Sequence, residues 1–167
     1  MLGVDILILV TLGTQDKKFT RLLEAIQKQI DLGNIKDRVI VQAGSTIFES
    51  KDMEIFDLIP MDEFNRLISD CDILITHGGV GSIINGLKRE KKIIAAARLK
   101  KFKEHVNDHQ LQIIDNFVKE KYILKLDNFD SLNEKLEQIK SFKPRKYKSN
   151  NEVFVKNLKK EIESFFY

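Results

Sequence analysis

Two short stretches combine residue types and spacing suited to chemistry. Ile75-Thr76-His77-Gly78-Gly79-Val80-Gly81-Ser82-Ile83 ends an apolar run in a histidine, three glycines and a serine, and Thr11-Leu12-Gly13-Thr14-Gln15 ends another in a small, hydrogen-bonding turn. Glycine permits positive φ and close approach of a ligand to the backbone, and a helix opening near Ser82 would offer unpaired N–H groups and partial positive charge. Such a turn can cradle a diphosphate; equally, it can be a tight strand-to-helix turn with Ser82 as its cap and no ligand at all. A third stretch, Asn107-Asp108-His109-Gln110, places polar side chains at the opening of a helix. If the three face one crevice, glycine backbone, hydroxyls, amides and imidazole suit a polyhydroxylated phosphate ester.

Known phosphate motifs narrow the ligand. No Gly-Lys-Ser/Thr is present at this loop, so it is not a P-loop, and Gly79-x-Gly81 is followed by Ile84 where a dinucleotide fingerprint has its third glycine. That fingerprint also belongs in the first strand-helix turn rather than mid-chain, which disfavours NAD and ATP.

The elements that must position these residues follow from periodicity. Strand-like runs at Ile6–Thr11, Arg38–Ala43, Ile55–Ile59, Ile73–Thr76, Lys92–Ala97 and Tyr122–Leu126 alternate with helical stretches at Phe19–Ile30, Met61–Ser69, Ser82–Lys88, His109–Lys119 and Ser131–Ile139. The series predicts an α/β fold, a Rossmann-like parallel sheet with helices on both faces and ligands at the carboxyl ends of the strands. Residues 1–143 form this domain, and 144–167 read as a basic linker and terminal helix ending Phe165-Phe166-Tyr167. That helix either docks back on the domain or offers an apolar face to a partner.

Composition sets outer limits. The chain has 167 residues, 43% hydrophobic and 32% charged, as one globular domain should be. A net charge of +3 and the lack of aromatic-rich basic motifs give no reason to expect nucleic acid. The basic clusters Arg98–Lys103 and Lys143–Lys148 read as solvated faces or as contacts for an anionic ligand or lipid surface. No apolar run is long enough to span a membrane and no signal peptide is evident, which points to the cytoplasm. A lone cysteine, Cys71, followed by an apolar strand, reads as a buried thiol.

Other constellations are weaker. Asp70-Cys71-Asp72 spells the Asp-x-Asp of metal-dependent glycosyltransferases but opens a strand, at the edge opposite the ligand. His105 and His109 have helical zinc spacing but no third ligand, and Ser82 lacks a hydrolase nucleophile elbow.

The order V-T-L-G-T-Q, D-I-L-I-T-H-G-G-V-G-S-I, and K-K-I-I-A-A-A with D-H-Q downstream resembles the C-terminal domain of glycosyltransferase family 28, from about Leu7 to Leu126. Within it the chain is most similar to small stand-alone subunits: the catalytic half of the dolichol-linked UDP-N-acetylglucosamine transferase and bacterial exopolysaccharide and capsule counterparts. The resemblance implies a single GT-B half-domain that binds a UDP-sugar, without a cofactor or metal, for inverting transfer to a lipid-linked saccharide. By similarity Gly13 and Thr14 meet the donor phosphates, Gly79, Gly81 and Ser82 hold the diphosphate, and Asp108, His109 and Gln110 reach the sugar. His77 lines the donor site, with a catalytic part open to it, or is a core histidine. Asn85 stands where relatives often carry the acidic residue that binds ribose, so only an uncharged hydrogen bond is available there. A membrane-associated second polypeptide would supply the acceptor side and its base, recruiting the chain to the cytoplasmic face of the membrane. Rival readings are a non-catalytic nucleotide-binding module and a stand-alone nucleotide-sugar epimerase or hydrolase. Abundant Lys, Ile and Asn favour a bacterial polysaccharide setting.

Overall fold

A computed structural model describes residues 5–149 and 151–164. In chain order they form β1 (Leu7–Thr11), α1 (Thr20–Asp31), β2 (Arg38–Gln42), β3 (Met53–Phe56), α2 (Met61–Asp70), β4 (Ile73–His77), α3 (Val80–Lys88), β5 (Lys92–Ala96), α4 (His109–Lys119), β6 (Leu124–Lys125), α5 (Leu132–Ser141) and α6 (Glu152–Glu163), with short 3-10 turns at Lys100–Phe102 and Phe129–Ser131. The six strands make one sheet in the order β3-β2-β1-β4-β5-β6, every pair parallel.

Strand alternation sorts the apolar residues onto two faces. Ile8 and Val10 of β1 and Ile94 and Ala96 of β5 pack with Leu22, Leu23 and Ile26 of α1 and Leu132, Leu136 and Ile139 of α5. Leu9, Leu74, Ile93 and Ala95 face the opposite way, against Phe64 and Ile68 of α2, Ile83 and Leu87 of α3, and Ile113, Ile114 and Phe117 of α4. Both faces of the sheet are therefore buried, which explains why the central strands read as unbroken apolar runs.

The terminal helix docks back. Phe154 and Leu158, four apart on one face of α6, are buried in the second cluster, and Phe154 packs edge-on against Phe117 and Tyr122 with ring centroids 5.0 and 5.5 Å away. The expected docking element Phe165-Phe166-Tyr167 lies outside the described residues.

Most boundaries shift by a residue or two from the sequence expectation, and three of the shifts have a clear physical reading. The third strand is Met53–Phe56 rather than Ile55–Ile59, because it pairs in register with Val39–Gln42 and leaves Leu58 and Ile59 in the following loop. The last strand contracts from Tyr122–Leu126 to Leu124–Lys125, since only these residues are in register with Ile94 and Ala95. Helix α3 begins at Val80, two residues before Ser82.

Candidate functional site

The strand order reverses between β1 and β4, the point where open parallel sheets bind ligands. A crevice of about 560 Å³ opens there, lined by Gly13, Thr14, His77, Gly79, Gly81, Ser82 and Asn85, and by Gln42, Leu58, Ile59, Met61 and Phe64. Seven of the ten residues expected at a donor site thus share one cavity. One side is glycine backbone and hydroxyls beside a helix N-terminus; the other is apolar.

The glycines work differently from the expectation. Gly13, Gly33 and Gly44 have positive φ, whereas Gly78, Gly79 and Gly81 do not. Gly79 and Gly13 leave room for the His77 ring: a Cβ would stand 2.3 Å from His77 Nε2 at Gly79 and 2.7 Å at Gly13. A Cβ at Gly81 would meet nothing within 4 Å, and the residue is exposed in the first turn of α3. Gly79 is the N-cap of that helix and no side chain caps it, so Ser82 is not the cap but stands in its first turn, half-buried toward the crevice. No side chain caps the first-turn N–H groups of α3, and Gly79, Gly81 and Ser82 of that turn line the cavity.

His77 closes the end of β4. Its Nδ1 lies 3.4 Å from the Thr11 carbonyl and 3.4 Å from the Thr76 hydroxyl, and the Thr11 and Thr76 hydroxyls are 2.8 Å apart across the β1–β4 pair. The carbonyl can only accept, so that contact is a hydrogen bond in the tautomer with the proton on Nδ1, while Nε2 is the ring atom nearest Gly13 and Gly79. Burial, reinforced by the Arg98 charge, pushes the imidazole down to about 4, so it is neutral at physiological pH.

Asn85 lines the crevice with its amide engaged: Nδ2 donates to Asn65 Oδ1, and Oδ1 accepts from Arg89. Asp108, His109 and Gln110 do not line this cavity. Gln110 is buried, and its Oε1 accepts from the N–H groups of Gly78 and Arg98, at 3.1 and 3.0 Å, bracing the ends of β4 and β5 against α4. Asp108 is exposed and accepts from the Lys100 N–H, while the His109 N–H donates to Asn107 Oδ1. The third loop thus buttresses the crevice in this state of the protein, and its amide oxygen is already committed to backbone.

Two residues unassigned from sequence shape the site. Gln42, at the end of β2, is buried, and its Oε1 accepts from the Ile59 N–H, fixing the apolar wall. Arg98 opens a cluster expected to be solvated or ligand-facing, yet it is wholly buried beneath the β1 loop. Glu104 is also buried; Arg21 holds its carboxylate through Nε and Nη2, each at 2.9 Å, and it accepts the Leu99 N–H. The one signal in the sequence is that Arg98 directly abuts the apolar run Ile93–Ala97, which hints at burial but not at its partners.

Elsewhere, Asp72 accepts the Leu7 N–H at the far end of the sheet, a strand-pairing role. Burial pushes the Cys71 thiol up to about 11. No three metal-ligating side chains converge among the described residues. Nor is any described helix long and apolar enough to cross a membrane.

Comparison with known proteins agrees with this architecture. The model of the glycosyltransferase family 28 C-terminal domain matches residues 7–164. The UDP-N-acetylglucosamine transferase subunit ALG13 of Debaryomyces hansenii is 30% identical over 98 residues, 59% of this chain and 43% of that protein. The chain therefore spans less than half the length of that curated relative. The solution structure of ALG13 superposes with a TM-score of 0.59 at 19% identity, covering 92% of this chain and 95% of that one. The glycosyltransferase SnogD from Streptomyces nogalater gives 0.62 at 14% identity, over 98% of this chain and 41% of its own. With six parallel strands, a crevice at the switch point and a family match over nearly its whole length, the chain belongs to the C-terminal-domain family of glycosyltransferase family 28 and has the fold of one GT-B half.

Proposed function

We propose that the chain is the donor-binding catalytic subunit of a two-subunit inverting glycosyltransferase, which transfers a sugar from a UDP-sugar to a lipid-linked acceptor. The observation that carries this reading is the two-sided crevice. Backbone N–H groups and hydroxyls at the start of α3 suit a diphosphate, and the apolar wall of Leu58, Ile59, Met61 and Phe64 suits a flat base. The names of the relatives make UDP-N-acetylglucosamine the first donor to try.

In the reaction, the acceptor oxygen bonds to the anomeric carbon as the bond from that carbon to the β-phosphate oxygen breaks. The electron pair leaves with UDP, and the acceptor proton passes to a base. Fixed N–H donors around Gly13, Gly79 and Gly81 would stabilise the charge on departing UDP without a metal. His77, neutral and packed between two glycines, belongs to the donor side. The acceptor base, we propose, comes from a membrane-associated partner that also brings the chain to the cytoplasmic face of the membrane. A bacterial exopolysaccharide or capsule setting is the physiological part of the proposal, supported by residue usage.

Thermal stabilisation of the protein by UDP, with ADP and NAD as controls, tests the site. At about 100 times its dissociation constant UDP should add roughly 2.7 kcal/mol. Preference for ADP or NAD would overturn the reading. Sugar release or turnover by the protein alone would replace a transferase subunit with a hydrolase or epimerase.

A further inference from the structure

Arg98 is the largest wholly buried side chain, and its guanidinium is bonded to backbone carbonyls rather than to a carboxylate. Nη2 donates to the Leu12 carbonyl; Nη1 donates to the carbonyls of Lys17 at 2.6 Å and Glu104 at 3.3 Å. The guanidinium lies 5.1 Å from the Phe19 ring, and Nε has no partner. Leu12 and Lys17 bracket the loop that carries Gly13 and Thr14 into the crevice. A buried cation is costly unless its surroundings are fixed to receive it, so this loop is organised around Arg98.

The consequence follows from peptide geometry. In a trans peptide the C=O and the next N–H point in opposite directions, and no cis peptide bond occurs among the described residues. With the Leu12 carbonyl drawn onto Arg98, the Gly13 N–H is directed away from it, on a residue that lines the crevice. We propose that Arg98 is a positioning residue for the anion site: it turns the β1-loop carbonyls inward so that the Gly13 N–H is presented to the ligand, and its buried charge adds to the positive potential there. The proposal rests on the crevice being the donor phosphate site. The same charge bears on His77, whose imidazole burial first and Arg98 second hold down, with a further lowering by His105 against the Thr11 carbonyl.

The test compares wild type, Arg98→Met and Arg98→Lys by UDP titration and by NMR titration of the His77 ring. Arg98→Met, if folded, should bind UDP at least about tenfold more weakly, the scale of one lost charge-assisted contact, and should shift the Gly13 amide resonance and raise the His77 midpoint. Arg98→Lys keeps the charge but cannot fork between Leu12 and Lys17, so it should weaken UDP binding while leaving the His77 midpoint close to wild type. Should Arg98→Met not fold, Arg98→Lys decides, and wild-type affinity in it overturns the proposal. A folded Arg98→Met with wild-type affinity, or with an unmoved His77 midpoint, also overturns it. If wild type itself binds no UDP, the donor-site reading falls, and the His77 midpoint still decides whether the Arg98 charge reaches the crevice.

Discussion

Lowering the pH should weaken the fold through His77. The imidazole titrates near 6.5 in the unfolded chain but is pushed down to about 4 in the native protein, by burial first and the Arg98 charge second. Between those values the unfolded state binds more protons. Stability due to the neutral ring is therefore complete above about pH 6.5 and is lost as pH falls toward 4. The loss comes to about 2 kcal/mol at pH 5 and about 3 kcal/mol at pH 4, a large part of a typical domain's stability. Urea denaturation of wild type and His77→Gln at pH 7.5 and pH 5 isolates the effect. His105, also held low by burial, is present in both proteins and cancels. Wild type should lose about 2 kcal/mol more than the variant over this interval. Equal losses would refute the inference that His77 is buried in its neutral form.

Two glycines at the start of α3 should respond oppositely. Gly79→Ala puts a methyl 2.3 Å from His77 Nε2 and should destabilise by about 1–3 kcal/mol, measured by chemical denaturation. Gly81→Ala meets open space, so stability should hold or rise by up to about 1 kcal/mol while UDP affinity falls; undiminished affinity would remove Gly81 from the binding site. Phe154→Ala empties the aromatic contact between α6 and the body and should lower stability by about 3–5 kcal/mol in urea denaturation. A loss under about 1 kcal/mol would show that α6 is not docked in solution.

The central sheet was legible because β1, β4 and β5 are apolar on both faces and end at the small residues that turn into the site. Edge elements were harder to place. At β3 the run Ile55–Ile59 is apolar but for Asp57, yet pairing with β2 uses Met53–Phe56 and hands Leu58 and Ile59 to the crevice wall. The site's lining was readable where backbone chemistry defines it, at Gly13, Gly79 and Gly81. Gln42 and Arg98 were not, because their roles depend on what lies beneath a loop distant in sequence: Arg98 Nη2 reaches Leu12 across 86 positions. Gln110 shows the same limit, since a polar side chain opening a helix reads as ligand-facing until its amide is found holding Gly78 and Arg98.

The margins of the sheet bear on how this protein can associate. At one rim β6 offers two residues, with Lys125 bound to Asp115 at 2.6 Å and Asp127 at 3.1 Å; at the other, β3 has four, with Glu54 clasped by Arg38 across the strands at 2.7 Å. Short strands carrying lateral charges are poor templates for a further strand, which protects against self-pairing into fibrils. They also disfavour strand addition as a route to assembly. A subunit that joins this one would then meet it mainly through side chains, and association should be alterable by point substitution without disturbing the sheet.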